Sequence, residues 1–198
     1  QQMPKGYRGT FLLGRHSPTE DVEGEVSQLA SPPVPTRERI VTAAKAMVGR
    51  IEQRPPVYSA LKVEGRRAYQ LARRGQPVEL KPRSVTVYQL EVTAYDYPQL
   101  TLEVECGSGT YIRSLGRDLA ESLGTVAVTS ALVRTSIGSF CLEEAIDPNR
   151  VTKANWADHL APPLRAVESL PRIALSAEEI ARIRDGLTIS GEWPAAEA

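Results

Sequence analysis

The sequence predicts an α+β fold: a largely antiparallel, mixed sheet flanked by helices. Three observations predict it. Residues 84–95 and 100–106 are alternating apolar and polar segments on either side of Tyr97-Pro98, the pattern of a long hairpin. An amphipathic helix follows that hairpin within a few residues, and another strand-like run follows the helix. The order is mixed, with hairpins and intervening helices, which fits α+β with a largely antiparallel sheet.

The elements follow in order. Residues 7–14 read as a strand, and residues 15–35 as a loop rich in acid, serine and proline. Thr36 suits the N-cap of a helix running to about residue 48, with Ile40, Ala43, Ala44, Met47 and Val48 on its apolar side. Pro55-Pro56 resets the chain. Residues 58–63 form a short extended run, and Glu64-Gly65 signals a turn. Residues 67–74 read as a short helix stopped by Gly75. Ala68, Leu71 and Ala72 face inward there, and Arg66, Gln70, Arg73 and Arg74 line the opposite face. The alternation in 84–95 changes phase between Val87 and Leu90, which predicts a bulge. Leu100, Leu102, Val104 and Cys106 alternate with polar residues as a half-buried strand. Residues 126–134 read as a further strand, 148–166 as less regular chain, and 177–185 as a last helix stopped by Gly186.

The most informative segment is GSGTYIRSLGRDLAESLG, residues 107–124. Ile112, Leu115, Leu119 and Leu123 fall on one helical face, Thr110 is the expected N-cap, and Gly124 the expected stop. Tyr111 and Arg113 then stand in the first turn, off the apolar stripe. A helix start offers free N–H groups and the positive end of the dipole, and Arg113 adds a cation. Such a site holds an anion beside an aromatic ring. The same residues also read as an ordinary loop–helix junction with a surface arginine.

The chain has 198 residues and no net charge, so global charge names no partner. Between Arg50 and Arg83, however, nine lysines and arginines face three glutamates. A basic stretch in a neutral protein is either a polyanion site or a solvated face. Tyr58 and Tyr69 lie within it, as stacking rings or as core. The two cysteines, Cys106 and Cys141, and the two histidines, His16 and His159, have no metal-type or redox-motif spacing. No apolar run reaches the length of a membrane span, no signal peptide is visible, and a reducing cytoplasmic compartment fits best.

Taken together, KGYRGTFLLG, YSALKVEGRRAYQLARRG, GSGTYIRSLGRDL and LVRTSIGSF resemble the bacterial tRNA pseudouridine-55 synthases of the TruB type, in the family's order and roughly its spacing. The resemblance implies a base flipped out of the tRNA T-loop, a glycosidic bond broken and re-formed through C5, an aspartate nucleophile, and no metal or organic cofactor. It implies tRNA, through its T-arm, as partner, with no protein partner and a monomer. Tyr7 falls on the family's stacking tyrosine, Tyr111 and Arg113 on the tyrosine and arginine of GTYIR, and Leu132 on the pocket leucine. Lys62 falls on the lysine of SALK, an RNA contact, and Arg66, Arg73 and Arg74 match a phosphate backbone. The anion at Arg113 would be the nucleophilic carboxylate.

That carboxylate is expected outside this sequence. The family carries it in a GxLDPxATGxL motif, which these residues do not contain. Asp147-Pro148 is a decoy, and Asp21 and Asp118 match other positions, with Asp118 read as a helix-surface acid. The family's TDTxDxxG loop appears here as SPTEDVEG, with Pro18 in place of an aspartate; LVRT carries Val133 in place of a cation, and Val128 stands where a histidine is common. The expected organisation is a catalytic domain over 1–168 lacking its N-terminal part. Residues 169–198 would be the opening of a small RNA-binding barrel of the PUA type, its last residues poorly ordered. The 198 residues alone are expected to be inactive, with the sheet left with an exposed edge. The alternatives are a non-catalytic RNA-binding module of the same fold, and a generic α+β domain with an incidental basic face.

Overall fold

The computed structural model describes residues 3–63, 65–72, 74 and 80–191, without the side chains of residues 62 and 63. The chain divides into two compact units, Gln1–Ala145 and Ile146–Ala198. The first unit opens with β1 (Lys5–Leu13), followed by the two-residue ribbon β2 (Arg15–His16) and β3 (Ser27–Gln28). Helix α1 (Arg37–Ala46) leads into β4 (Gly49–Gln53). A small hairpin, β5 (Lys62–Val63) and β6 (Arg66–Arg67), precedes the five-residue helix α2 (Ala68–Ala72). Then come β7 (Arg83–Asp96), β8 (Gln99–Cys106), α3 (Ile112–Ser122), β9 (Ala127–Ile137) and β10 (Phe140–Cys141).

The six-stranded sheet runs β10-β9-β1-β8-β7-β4, each neighbour antiparallel. The α+β architecture read from the sequence is the architecture found. The phase change in β7 is a register shift between Val87 and Gln89, as the alternation predicts. A second shift between Val92 and Ala94 has no comparable signal.

Helices α1 and α3 pack on the sheet, and the core forms between them and β1, β7 and β8. Leu115 and Leu119 of α3 are buried against Phe11, Leu13 and Leu102. The closest fit is at Gly116. A Cβ there would lie 2.1 Å from Phe11 Cε1, so only glycine lets the helix seat on the strand. Thr36 caps α1, accepting from the Arg39 N–H, and Ile40 and Ala44 are buried. Val48, expected on that apolar side, is instead exposed, since the helix ends before it.

Two local expectations are corrected. Of residues 58–63, only Lys62–Val63 is strand; residues 58–60 bend, which turns the Tyr58 carbonyl toward α3. Thr110 is not the N-cap of α3. Its hydroxyl donates to Gly107 O (3.0 Å) to close the preceding turn, and Tyr111 occupies the cap position with no side-chain cap. Gly124 does end the helix region, at φ 77°.

The second unit holds short 3-10 turns, Pro148–Arg150, Trp156–His159 and Pro163–Val167, and helix α4 (Ala177–Arg184). Ser176 and Glu179 form a reciprocal capping box at the start of α4. The expectation for the chain's last residues concerns 192–198, which lie outside the described residues.

Candidate active site

The start of α3 is built by a side chain from the end of β4. Gln53, 1% exposed, accepts from the Tyr111 N–H through Oε1 (2.8 Å) and donates to the Tyr111 carbonyl through Nε2 (3.1 Å). One amide thus fixes both backbone groups of the residue before the helix and does the work expected of Thr110. The sequence carries no signal for it beyond a lone glutamine before Pro55-Pro56.

Arg113, in the first turn, is held on three sides. Its Nη1 donates to Asp21 Oδ2 (2.7 Å) and to Thr19 O (2.9 Å), and its Nη2 to Tyr58 O (3.0 Å). Asp21 is itself fixed: Thr19 Oγ1 (2.6 Å) and the Glu23 N–H (3.1 Å) both donate to Oδ1. Burial raises the Asp21 carboxyl, but hydrogen bonds from Thr19 and Arg113 and the attraction of Arg113 outweigh it and hold the group below its ordinary value. The anion on Arg113 is a carboxylate of the SPTEDVEG loop, Asp21, where the resemblance implies the nucleophile. Neither the motif spacing nor the departure at Pro18 identifies Asp21 as that partner, because the contact is made by a loop 92 positions away.

One turn further along α3 lies a second ionic group. Glu20 accepts from Ser114 Oγ (2.9 Å) and from Arg117 Nη1. Arg117 also donates to Asp118 Oδ1 (2.7 Å) and to Arg54 O (2.8 Å). Asp118 is therefore a half-buried ion-pair member, correcting its reading as a surface acid. Burial is the largest effect on Glu20 and on Asp118 and pushes both carboxyls up, more than their Arg117 contacts pull them down.

Tyr7 lies on the helix-covered face of β1. A Cβ at Gly9 would lie 3.3 Å from Ile112 Cγ2, and Phe11 abuts Gly116, so β1 runs along α3 in step. Tyr7 precedes Gly9 by two residues, about 7 Å along a strand. It therefore stands just beyond the end of α3 that carries Tyr111 and Arg113. Across the β1–β9 ladder, Leu132 pairs with Gly9 and Arg134 with Tyr7, and cross-strand partners share a face. Leu132 is 44% exposed. The Arg134 guanidinium lies 5.5 Å from the Tyr7 ring centroid, a cation–π contact that needs the strand register to be seen.

Arg66 and Arg74 line a polar cleft with Tyr69, Gln70 and Leu71, and the Tyr69 N–H donates to Ser59 O (3.1 Å), next to the carbonyl that accepts from Arg113. Lys62 belongs to β5, its side chain outside the description, and Arg73 lies outside the described residues. Asp147 caps the turn Pro148–Arg150, accepting from the Asn149 N–H (2.9 Å), a structural task. Among the described residues no group of three or more His, Cys, Asp and Glu side chains forms a metal site.

The aromatic ring of Tyr7 and the apolar side chain of Leu132 belong to the sheet, and the carboxylate-bound guanidinium of Arg113 to the first turn of α3. The fold is shared with a chain solved as "Crystal Structure of a Cbf5-Nop10-Gar1 Complex" (TM-score 0.69, 23% identity, 93% of this chain and 49% of that one). It is also shared with a chain of an "H/ACA RNP bound to a substrate RNA containing 2'-deoxyuridine" (TM-score 0.64, 22% identity, 95% and 49%). Residues 1–112 match the family described as TruB family pseudouridylate synthase (N terminal domain). Similar proteins named tRNA pseudouridine synthase B occur in Caulobacter sp. (strain K31), at 42% identity over 93% of this chain and 61% of the relative, and in Bacteroides fragilis (strain YCH46), at 40% over 80% and 67%. The chain belongs to the TruB family of pseudouridylate synthases. It spans 61% of the length of the Caulobacter relative and 57% of one from Rhodopirellula baltica.

Proposed function

We propose that these residues are the recognition and positioning part of a tRNA pseudouridine synthase. The enzyme isomerises one uridine of the T-loop, position 55, and its nucleophilic aspartate lies in an LDPxATG-type motif outside the 198 residues. Burial of the target base inside a folded loop requires extrusion before chemistry. Tyr7 stacks on the flipped base, Leu132 packs its other edge, and Tyr111 closes the pocket at the head of α3. Arg113 meets the nucleophilic carboxylate and keeps it ionised in a dry pocket. Arg66, Arg73, Arg74 and Lys62 contact the RNA backbone. Residues 169–198 open a PUA-like RNA-binding domain. The observation that carries the reading is membership of this family, supported by a strand register that sets Leu132 beside Gly9 and Arg134 beside Tyr7.

The test is pseudouridine formation on unmodified tRNA by a protein in which these residues are joined to a segment bearing the LDPxATG motif. The 198 residues alone are expected to be inactive and the joined protein active. Arg113→Ala in the joined protein is expected to lower the rate by about 10²- to 10³-fold, the effect of losing one preorganised electrostatic partner. A near-normal rate would refute the role of Arg113. A second reading, a binding-only RNA module, is favoured by one observation: Arg113 already holds a carboxylate, Asp21. An inactive joined protein that still binds tRNA would establish it.

A further inference from the structure

The SPTEDVEG loop meets α3 twice, through two consecutive acids. Asp21 takes Arg113, and Glu20 takes Ser114 and Arg117. Arg113 and Arg117 are four residues apart and share a helix face. Consecutive side chains of an extended segment point to opposite sides. Two adjacent acids therefore reach one helix face only if the backbone bends sharply between them. The bend is present. Glu20 has φ 61°, the one non-glycine residue with positive φ among the described residues. A long β-unbranched acid is unfavourable in that region, and such strain persists only where the surroundings over-determine it.

The surroundings do so on every side. The Glu20 N–H donates to Ser17 O (3.1 Å), and its carbonyl accepts from the Thr129 N–H (2.9 Å). Ser114, which donates to its carboxylate, is fully buried. Arg117, the second donor, is anchored to Arg54 O (2.8 Å) in the same segment that delivers the Tyr58 carbonyl to Arg113. At Gly24, where the loop returns, a Cβ would fall 2.4 Å from Thr19 Oγ1 and 2.5 Å from Ser17 Oγ, so the loop is closed to its limit. Burial disfavours the charged form of Glu20 more than Arg117 favours it. Backbone and desolvation thus both act against this arrangement, and what it yields is the placement of the next residue.

We infer that Glu20 is a positioning residue: with Ser114 and Arg117 it braces the 17–24 loop so that Asp21 and the Thr19 carbonyl hold Arg113 in place. The assignment rests on the proposed reaction for its purpose, because there Arg113 meets the nucleophile. Its physical content concerns Arg113 alone. Glu20 touches neither substrate nor reacting atoms in this scheme.

The test follows the guanidinium N–H signals of Arg113 by NMR, together with amide hydrogen exchange over 20–24, in the 198-residue chain. Glu20→Gly and Glu20→Asn both accept a left-handed backbone and both lack the reach to Arg117, so they remove the brace and not the bend. Glu20→Gln keeps the bend and the acceptor, and is the rescue control. With the brace removed, the Val22 and Glu23 amides are expected to exchange about ten- to a hundredfold faster. The protected Arg113 signals should be lost while the melting of the core persists. Glu20→Gln is expected to retain the Arg113 signals. Arg113 signals unchanged in either short variant would overturn the inference, and the second variant serves if the first does not fold. In the joined protein, loss of the brace should lower kcat and leave KM for tRNA nearly unchanged. A KM effect alone would also overturn it. A joined protein inactive at the outset, whose Arg113 signals nonetheless respond to Glu20, sinks the reaction and keeps the brace.

Discussion

At the scale of single residues, the acids around α3 are set apart by their surroundings. Glu20 is held above its ordinary value of 4.5, first by burial, and Asp118 above 3.8 for the same reason. Asp21 is held below 3.8: burial opposes this, but Thr19 and Arg113 prevail. The signs differ accordingly. The folded state binds the Glu20 and Asp118 protons more tightly than the unfolded chain does. Their contributions to stability are therefore full below the ordinary values and are lost as pH rises through the folded ones. Asp21 contributes above 3.8 and loses its contribution as pH falls. Melting temperatures measured from acid to neutral pH should show Glu20→Gln gaining on the parent chain as pH rises above 4.5. Parallel curves would place the Glu20 titration elsewhere. None of this was legible beforehand. Arg113 was singled out by its place at a helix start, but its partner came from a loop whose letters read only as acid and turn.

At the scale of elements, local pattern decided most outcomes. The strand alternation in β8, the apolar stripe of α3 and the bulge after Val87 follow directly from side-chain period. What pattern did not reveal was which backbone groups find which partners, and so the cap of α3 went to Tyr111 and Gln53. The same limit hid Gly116. Read in sequence it is a helix-weakening residue, and only packing shows that Phe11 fills the space above it. Gly116→Ala should raise intrinsic helix propensity yet destabilise the first unit by about 1–3 kcal/mol, the usual effect of overpacking. Chemical denaturation of the variant checks this. A gain in stability would mean that Phe11 can turn aside.

For the whole molecule, the charge pattern is what matters. The protein is neutral overall, yet its basic residues concentrate between Arg50 and Arg83, and Arg66 and Arg74 flank one cleft there. If that cleft follows a phosphate backbone, the 198-residue chain should bind an RNA hairpin with affinity falling as salt rises, whatever the loop sequence. Arg66→Ala and Arg74→Ala should each reduce the salt slope by about one. Unchanged slopes would assign the excess charge to solvation. The fold class was legible because side-chain period and family motifs are local. The ties between distant segments were not, because they exist only after folding has brought residues 20 and 54 to Arg117 and residue 21 to Arg113.

The glutamine at the end of β4 has a consequence for how this chain can vary. Its amide is read in one orientation, oxygen toward the Tyr111 N–H and nitrogen toward the Tyr111 carbonyl. A single base change in a glutamine codon leads to Glu, Lys, Arg, His, Leu, Pro or a stop. Glutamate sets a second acceptor against a carbonyl, lysine and arginine only donate, leucine and proline do neither, and histidine is shorter and rigid. Asparagine, the one chemical equivalent, lacks a methylene of reach and lies more than one base away. The head of α3 is therefore isolated in codon space: every one-step amino-acid change at Gln53 loses at least one of the two bonds that fix the Tyr111 backbone.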